Sequence, residues 1–143
     1  MSAARDVYDE AIRLYNAADV EGFAGLHAEE AVLVTPSGTT QGRDAIRAYW
    51  TRIRAAFPDL TLRADMVIEQ GDTVVAEWTE TGTDTGPLVL PDGSERPPTG
   101  RRMEHRGMEV ALVRDAKIVE YRMYWDRMAI AEQLGRLPAG STA

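Results

Sequence analysis

Apolar and polar positions divide the chain into a helical first part and a second part with the two-residue period of strands. Val7, Ala11, Leu14, Tyr15 and Ala18 fall at i, i+4, i+7, i+8 and i+11, the stripe of an amphipathic helix that Ser2 could cap. Asp19 is placed to cap a short second helix carrying Phe23 and Leu26. Ala31 to Thr35 reads as a brief strand closed by Pro36-Ser37-Gly38. Gly42-Arg43-Asp44 then opens a third helix in which Ile46, Tyr49, Trp50, Ile53 and Phe57 recur at helical spacing, and Pro58 stops it.

From Leu60 onward the period is two. Leu60 to Glu69 and Thr73 to Thr83 read as strands joined by a turn at Gly71-Asp72. Residues 85–100 are dense in glycine and proline and read as a long loop or lid. Arg101 to Val113 and Lys117 to Asp126 are the last strands, turning at Asp115-Ala116, before a closing helix from Arg127 to Leu134 that ends at Gly135. Helices followed by a run of strands predict an α+β fold, with about three N-terminal helices over one face of a curved antiparallel sheet. Such a cone encloses a pocket suited to a small molecule. One domain spans residues 1–143, with a core from about 5 to 135 and a short tail, 136–143.

The final hairpin carries the most chemistry. A two-residue turn at Asp115-Ala116, with no bulge after it, sets His105 opposite Asp126, Gly107 opposite Tyr124, Glu109 opposite Arg122 and Ala111 opposite Glu120. One face then collects a His–Asp pair, a tyrosine and a Glu–Arg pair. The other holds Met108, Val110, Leu112, Val119, Tyr121, Met123 and Trp125. A polar row on an apolar sheet needs a use, because buried unpaired charge is costly. The functional reading is a half-buried pocket in which Asp126 accepts a proton and His105 orients it, lined by Tyr124, Glu109, Arg122, Trp50 and Trp78. The alternative is a solvated outer face with ordinary cross-strand ion pairs. His27 reads more simply as a cap or surface residue, and Asp84 as a turn residue.

Composition narrows the functions. A formal net charge of −7 argues against nucleic acid and anionic membrane surfaces as partners. With no cysteine and only two histidines, disulfides, thiolate chemistry and a histidine-rich zinc site fall away. No signal-peptide-like stretch opens the chain and no long apolar run could span a membrane, so a cytoplasmic location is the expectation. The apolar hairpin face is suited either to core packing or to a homodimer or higher homo-oligomer.

The pieces Gly42-Arg43-Asp44-Ala45-Ile46-Arg47, Phe57-Pro58-Asp59-Leu60, Gly82-Thr83-Asp84-Thr85-Gly86, Pro98-Thr99-Gly100-Arg101, Lys117-Ile118-Val119-Glu120 and Tyr124-Trp125-Asp126 with Gln133-Leu134-Gly135 resemble, in order and spacing, the SnoaL-like polyketide cyclases of the nuclear-transport-factor-two-like superfamily. The resemblance covers residues 20 to 135. It implies the cone-shaped fold and intramolecular aldol ring closure of a small, mostly apolar carbonyl compound, with an aspartate as acid/base and no cofactor or metal. That aspartate matches Asp126; where the family often has histidine in the Gly82–Gly86 segment, this chain has Asp84. Limonene-type epoxide hydrolases share the fold and an aspartate matching Asp126, but their arginine falls on Trp78 and their second acid on Glu80. Ring closure or isomerisation therefore ranks ahead of epoxide hydrolysis. A cofactor-free hydroxylation helper and a non-catalytic ligand-binding or assembly domain are the remaining readings.

Overall fold

The computed structural model describes residues 3–137. The Ser2 cap and the tail beyond residue 137 lie outside them. Two helices, α1 (Ala3–Asn16) and α2 (Val20–Gly25), precede strands β1 (His27–Thr35) and β2 (Gly38–Gln41). Helix α3 (Arg43–Ala56) leads into β3 (Thr61–Gln70) and β4 (Thr73–Thr83). A two-stranded flap, β5 (Leu88–Val89) and β6 (Glu95–Arg96), comes before β7 (Arg102–Arg114), β8 (Lys117–Trp125) and α4 (Arg127–Gln133).

Six strands form one curved sheet in the order β2-β1-β8-β7-β4-β3. The fold is α+β as expected, with one departure: β1 runs parallel to β8, while every other neighbouring pair is antiparallel. The strand at Ala31 to Thr35 begins earlier, at His27, and turns back through β2, which is too short and polar to show an apolar alternation. The 85–100 segment, read as a loop, contains the flap hairpin, whose β5 packs on α3.

The helices form where the apolar stripes put them. Ala4, Val7, Tyr8, Ala11, Leu14 and Tyr15 of α1 are buried, as are Ile46 and Trp50 of α3. Asp19 caps α2 by accepting from the Gly22 N–H at 2.8 Å. The strands alternate as half-buried strands do: Val74, Ala76, Trp78, Glu80 and Gly82 of β4 point inward, and so do Met103, His105, Glu109, Ala111 and Val113 of β7. No helix among the described residues is long and apolar enough to cross a membrane.

The last hairpin departs from the expected register. Asp115 and Ala116 do form a two-residue turn, with φ of 51° and 59°, and Arg114 pairs with Lys117. One step later a bulge at Val119 shifts β8, so Leu112 faces Glu120 and Glu109 faces Met123. Ile118 and Tyr121, three residues apart, are both buried as a result. From Tyr121 on, every side chain of β8 lies on the face opposite to the expected one. Tyr121 and Met123 therefore enter the core, while Arg122 and Tyr124 turn outward. The expected apolar face of Val110, Leu112, Met123 and Trp125 is split between the two sides of the sheet.

Candidate functional site

The helices and the concave face of the sheet enclose a cavity of about 370 Å³, a size typical of small-molecule sites. Its wall is mostly apolar and aromatic, with Tyr15, Phe23, Trp50, Trp78, Trp125 and Met123 among its members. Three carboxylates and one histidine interrupt it: Glu80, Asp84, His105 and Glu109. All four are buried. Among the described residues, no three His, Cys, Asp or Glu side chains come together as a metal site would require.

Glu109 lies deepest, with no exposure. Its Oε1 accepts from the Tyr8 hydroxyl at 2.7 Å and the Tyr121 hydroxyl at 2.9 Å, while Oε2 is buried without a partner. Burial pushes the Glu109 carboxyl up to about 7; the two hydroxyls oppose the shift, and the charge of Glu80 adds to it. The Trp78 indole N–H lies near Glu109 but outside hydrogen-bond geometry. Burial, reinforced by the Glu109 charge, raises Tyr8 and Tyr121, so both stay protonated donors. This carboxyl is held near neutrality with one oxygen free, the condition a general acid/base needs.

Glu80 and His105 form the second polar group. They sit opposite one another across β4 and β7, and His105 Nε2 lies 3.1 Å from Glu80 Oε1. The carboxylate accepts, so the proton is on Nε2, and Nδ1 is left buried with no partner. Tyr15 donates to Glu80 Oε2 at 2.5 Å. Burial raises the Tyr15 hydroxyl far above its ordinary value, with the Glu80 charge adding to it. The Trp78 ring stands edge-on to His105, centroids 5.4 Å apart, and crosses Gly107 between His105 and Glu109. The Trp50 indole N–H is a further buried donor with no acceptor.

Asp84 fastens the mouth. Its Oδ2 accepts from the Thr99 N–H at 3.1 Å, the Thr99 hydroxyl at 2.8 Å and Arg136 at 2.8 Å. One buried carboxylate thereby joins the end of β4, the segment leaving the flap and Arg136, three residues beyond α4. Asp84→Ala is expected to lose about 3 kcal/mol, the lower end for breaking a buried pair, because Arg136 can turn to solvent. Denaturant unfolding measures the loss, and limited proteolysis should cut faster within residues 91–100 of the variant.

The expected site residues divide in two. His105, Glu109, Trp50 and Trp78 line the cavity together. Asp126, Tyr124 and Arg122 do not. Asp126 is exposed and caps α4 by accepting from the Ala129 N–H at 3.1 Å. It does not face His105, whose carboxylate partner is Glu80. Tyr124 is 48% exposed on the outer face, and Arg122 pairs with Glu120 on its own strand at 3.0 Å, not with Glu109. The Val119 bulge accounts for all three. Sequence reasoning passed over Tyr8, Tyr15 and Tyr121 and gave Glu80 only a minor place. The signal for Glu80 was its parity with Val74, Ala76 and Trp78. His27 proves to be core, with no exposure and its Nδ1 3.0 Å from the Phe23 carbonyl.

Solved structures with this architecture are numerous. IdmH from Streptomyces antibioticus, a candidate polyketide cyclase, is 28% identical, with 92% of this chain and 98% of that chain covered at a TM-score of 0.75. A candidate polyketide cyclase from Xanthomonas campestris is 22% identical, covering 92% and 96% at 0.79. AclR from Streptomyces galilaeus, a candidate hydroxylase, is 22% identical, covering 94% and 97% at 0.76. No curated protein matches the sequence significantly. The family model for SnoaL-like polyketide cyclase matches residues 4–134, from the first turn of α1 to the end of α4. A match over that span takes in every strand and helix that walls the cavity, and the chain belongs to the SnoaL-like polyketide cyclase family.

Proposed function

We propose that this protein is a cofactor-free cyclase that closes a ring by intramolecular aldol addition in a small, largely apolar carbonyl compound, with Glu109 as the base and His105 as the acid. One observation carries the reading. Glu109 combines a free, buried oxygen with a carboxyl pushed up to about 7, in the wall of an apolar cavity. Ionised Glu109 takes a proton from carbon next to a carbonyl. The resulting enolate carbon attacks a second carbonyl, and protonated His105, its Nε2–H held by Glu80, gives its Nδ1 proton to the oxygen that becomes the hydroxyl. The net change is one C–C bond and one proton moved from carbon to oxygen. Exchange with solvent then restores both side chains.

Spacing supports two separated centres. His105 and Glu109 are four residues apart on one strand face, about 13 Å between α-carbons, and their side chains enter the same cavity. The enolate carbon and the acceptor carbonyl would meet between these two side chains as the C–C bond forms. Acid–base catalysis of this kind contributes about 10²–10⁴-fold, and the closed aromatic wall supplies positioning.

The test uses uncyclised aromatic ketones of the polyketide type in deuterated buffer. Wild-type protein should give ring-closed product and deuterium uptake beside the donor carbonyl. Neither product nor uptake above the buffer rate would overturn the reading.

A further inference from the structure

The charges on the cavity wall are segregated. Every carboxylate that lines it, Glu80, Asp84 and Glu109, is buried. The exposed charged residues of the lining are both arginines, Arg96 of the flap and Arg127 at the start of α4. Exposed lining residues mark the mouth, so a chain of formal net charge −7 presents positive charge at the entrance to its cavity. Arg136, the third arginine of the lining, is neutralised by Asp84 at 2.8 Å. Among the described residues, Arg96 and Arg127, like several other arginines, have no carboxylate within salt-bridge distance, so their charge is not cancelled at the mouth.

The geometry points to a ligand that carries an anionic group at one end: we infer that Arg96 and Arg127 hold a carboxylate or comparable acid at the mouth while the apolar remainder fills the cavity. This rests on the reading above only in taking the cavity as the substrate site, and it narrows the substrate to an aromatic or apolar acid. A guanidinium offers paired donors that match a carboxylate. The two arginines stand on different elements, the flap and α4, and both line the same cavity. An anion cannot favour the deep end, where Glu80 and Glu109 would repel it. The acid group therefore sets the direction of entry, with the reacting carbonyls innermost.

The test compares two fluorophores of nearly equal size, anilinonaphthalene sulfonate, which is anionic, and phenylnaphthylamine, which is not. The wild type should bind the anionic probe more tightly, by about five- to tenfold at low salt, the range open to exposed ion pairs. Raising the salt should erode that preference. R96Q/R127Q should bring the anionic probe down to the affinity of the neutral one and leave the neutral one unchanged. Both substitutions are at exposed positions, and a thermal melt checks that the fold is kept. Equal affinity of the wild type for the two probes, or a variant that loses both alike, would overturn the inference. The readout is affinity, not turnover, so it stands apart from the acid–base roles of Glu109 and His105.

Discussion

Glu109→Gln is expected to lower ring-closing turnover by about 10²–10⁴-fold and, at the same time, to make the protein more stable above neutral pH. The loss of turnover follows from removing the only carboxyl among the described residues of the cavity with a free, buried oxygen and a value near neutrality. The gain in stability follows from linkage. Folding raises this carboxyl from 4.5 to about 7, so between those values the folded state holds a proton that the unfolded state has released. Stability therefore falls as pH rises through that window and levels off above it. This is the reverse of a salt-bridged carboxylate, whose contribution appears as pH rises. A shift of this size corresponds to roughly 3 kcal/mol. Glutamine carries no charge to desolvate, and its oxygen can still accept from Tyr8 and Tyr121. The variant should be more stable than the wild type by up to about that amount at pH 8, with the difference gone at pH 4.

His27 works in the opposite direction. Burial lowers it from 6.5 to about 4, so the unfolded chain takes up a proton there that the folded chain refuses. Its contribution is complete above 6.5 and is lost as pH falls toward 4. In the wild type the two slopes oppose each other from 4.5 to 6.5. In E109Q the His27 slope should stand alone, and melting temperature should climb through that interval. Thermal melts of both proteins across pH 4–8 measure the effect; parallel curves would contradict the assignment.

Gly107→Ala should be the most damaging single-methyl change in the sheet. A Cβ at this position would lie 2.5 Å from the Trp78 ring and 2.5 Å from the Tyr124 carbonyl oxygen. Trp78 is buried and packed edge-on to His105, so its ring can yield only by moving into the cavity it lines. The carbonyl belongs to β8, next to the residue paired with Gly107, and cannot move without that strand. Overpacking of this sort costs about 3 kcal/mol, occasionally more, and calorimetry should show melting lowered by roughly 10 °C. Adding Trp78→Leu should recover only part of the loss, because the Tyr124 carbonyl remains. Full recovery would mean that the ring alone fills the space.

Much of the architecture was legible because it depends on period and punctuation. The stripes of α1 and α3, the Pro58 stop and the Asp115-Ala116 turn are local signals, and each appears where the pattern put it. The identity of the polar inner face was also legible, since His105 and Glu109 share parity with buried Ala111 and Val113. Their partners were not. Pairing across a hairpin depends on every residue between the pair and the turn, and one extra residue at Val119 exchanges the two faces of β8. Nothing in Lys117-Ile118-Val119-Glu120 marks that bulge, whereas the burial of both Ile118 and Tyr121 reveals it at once. Asp126 accordingly caps a helix instead of entering the pocket, and Glu109 is the carboxyl proposed in its place. Glu80 finds His105 through β4, a neighbour that the hairpin could not announce.

The central claim is that Glu109 titrates near neutrality inside the cavity. Carboxyl-carbon NMR of protein labelled at glutamate, with E109Q to assign the signal, measures this directly. A midpoint of about 7 is the predicted result; a midpoint near the ordinary 4.5 would contradict it.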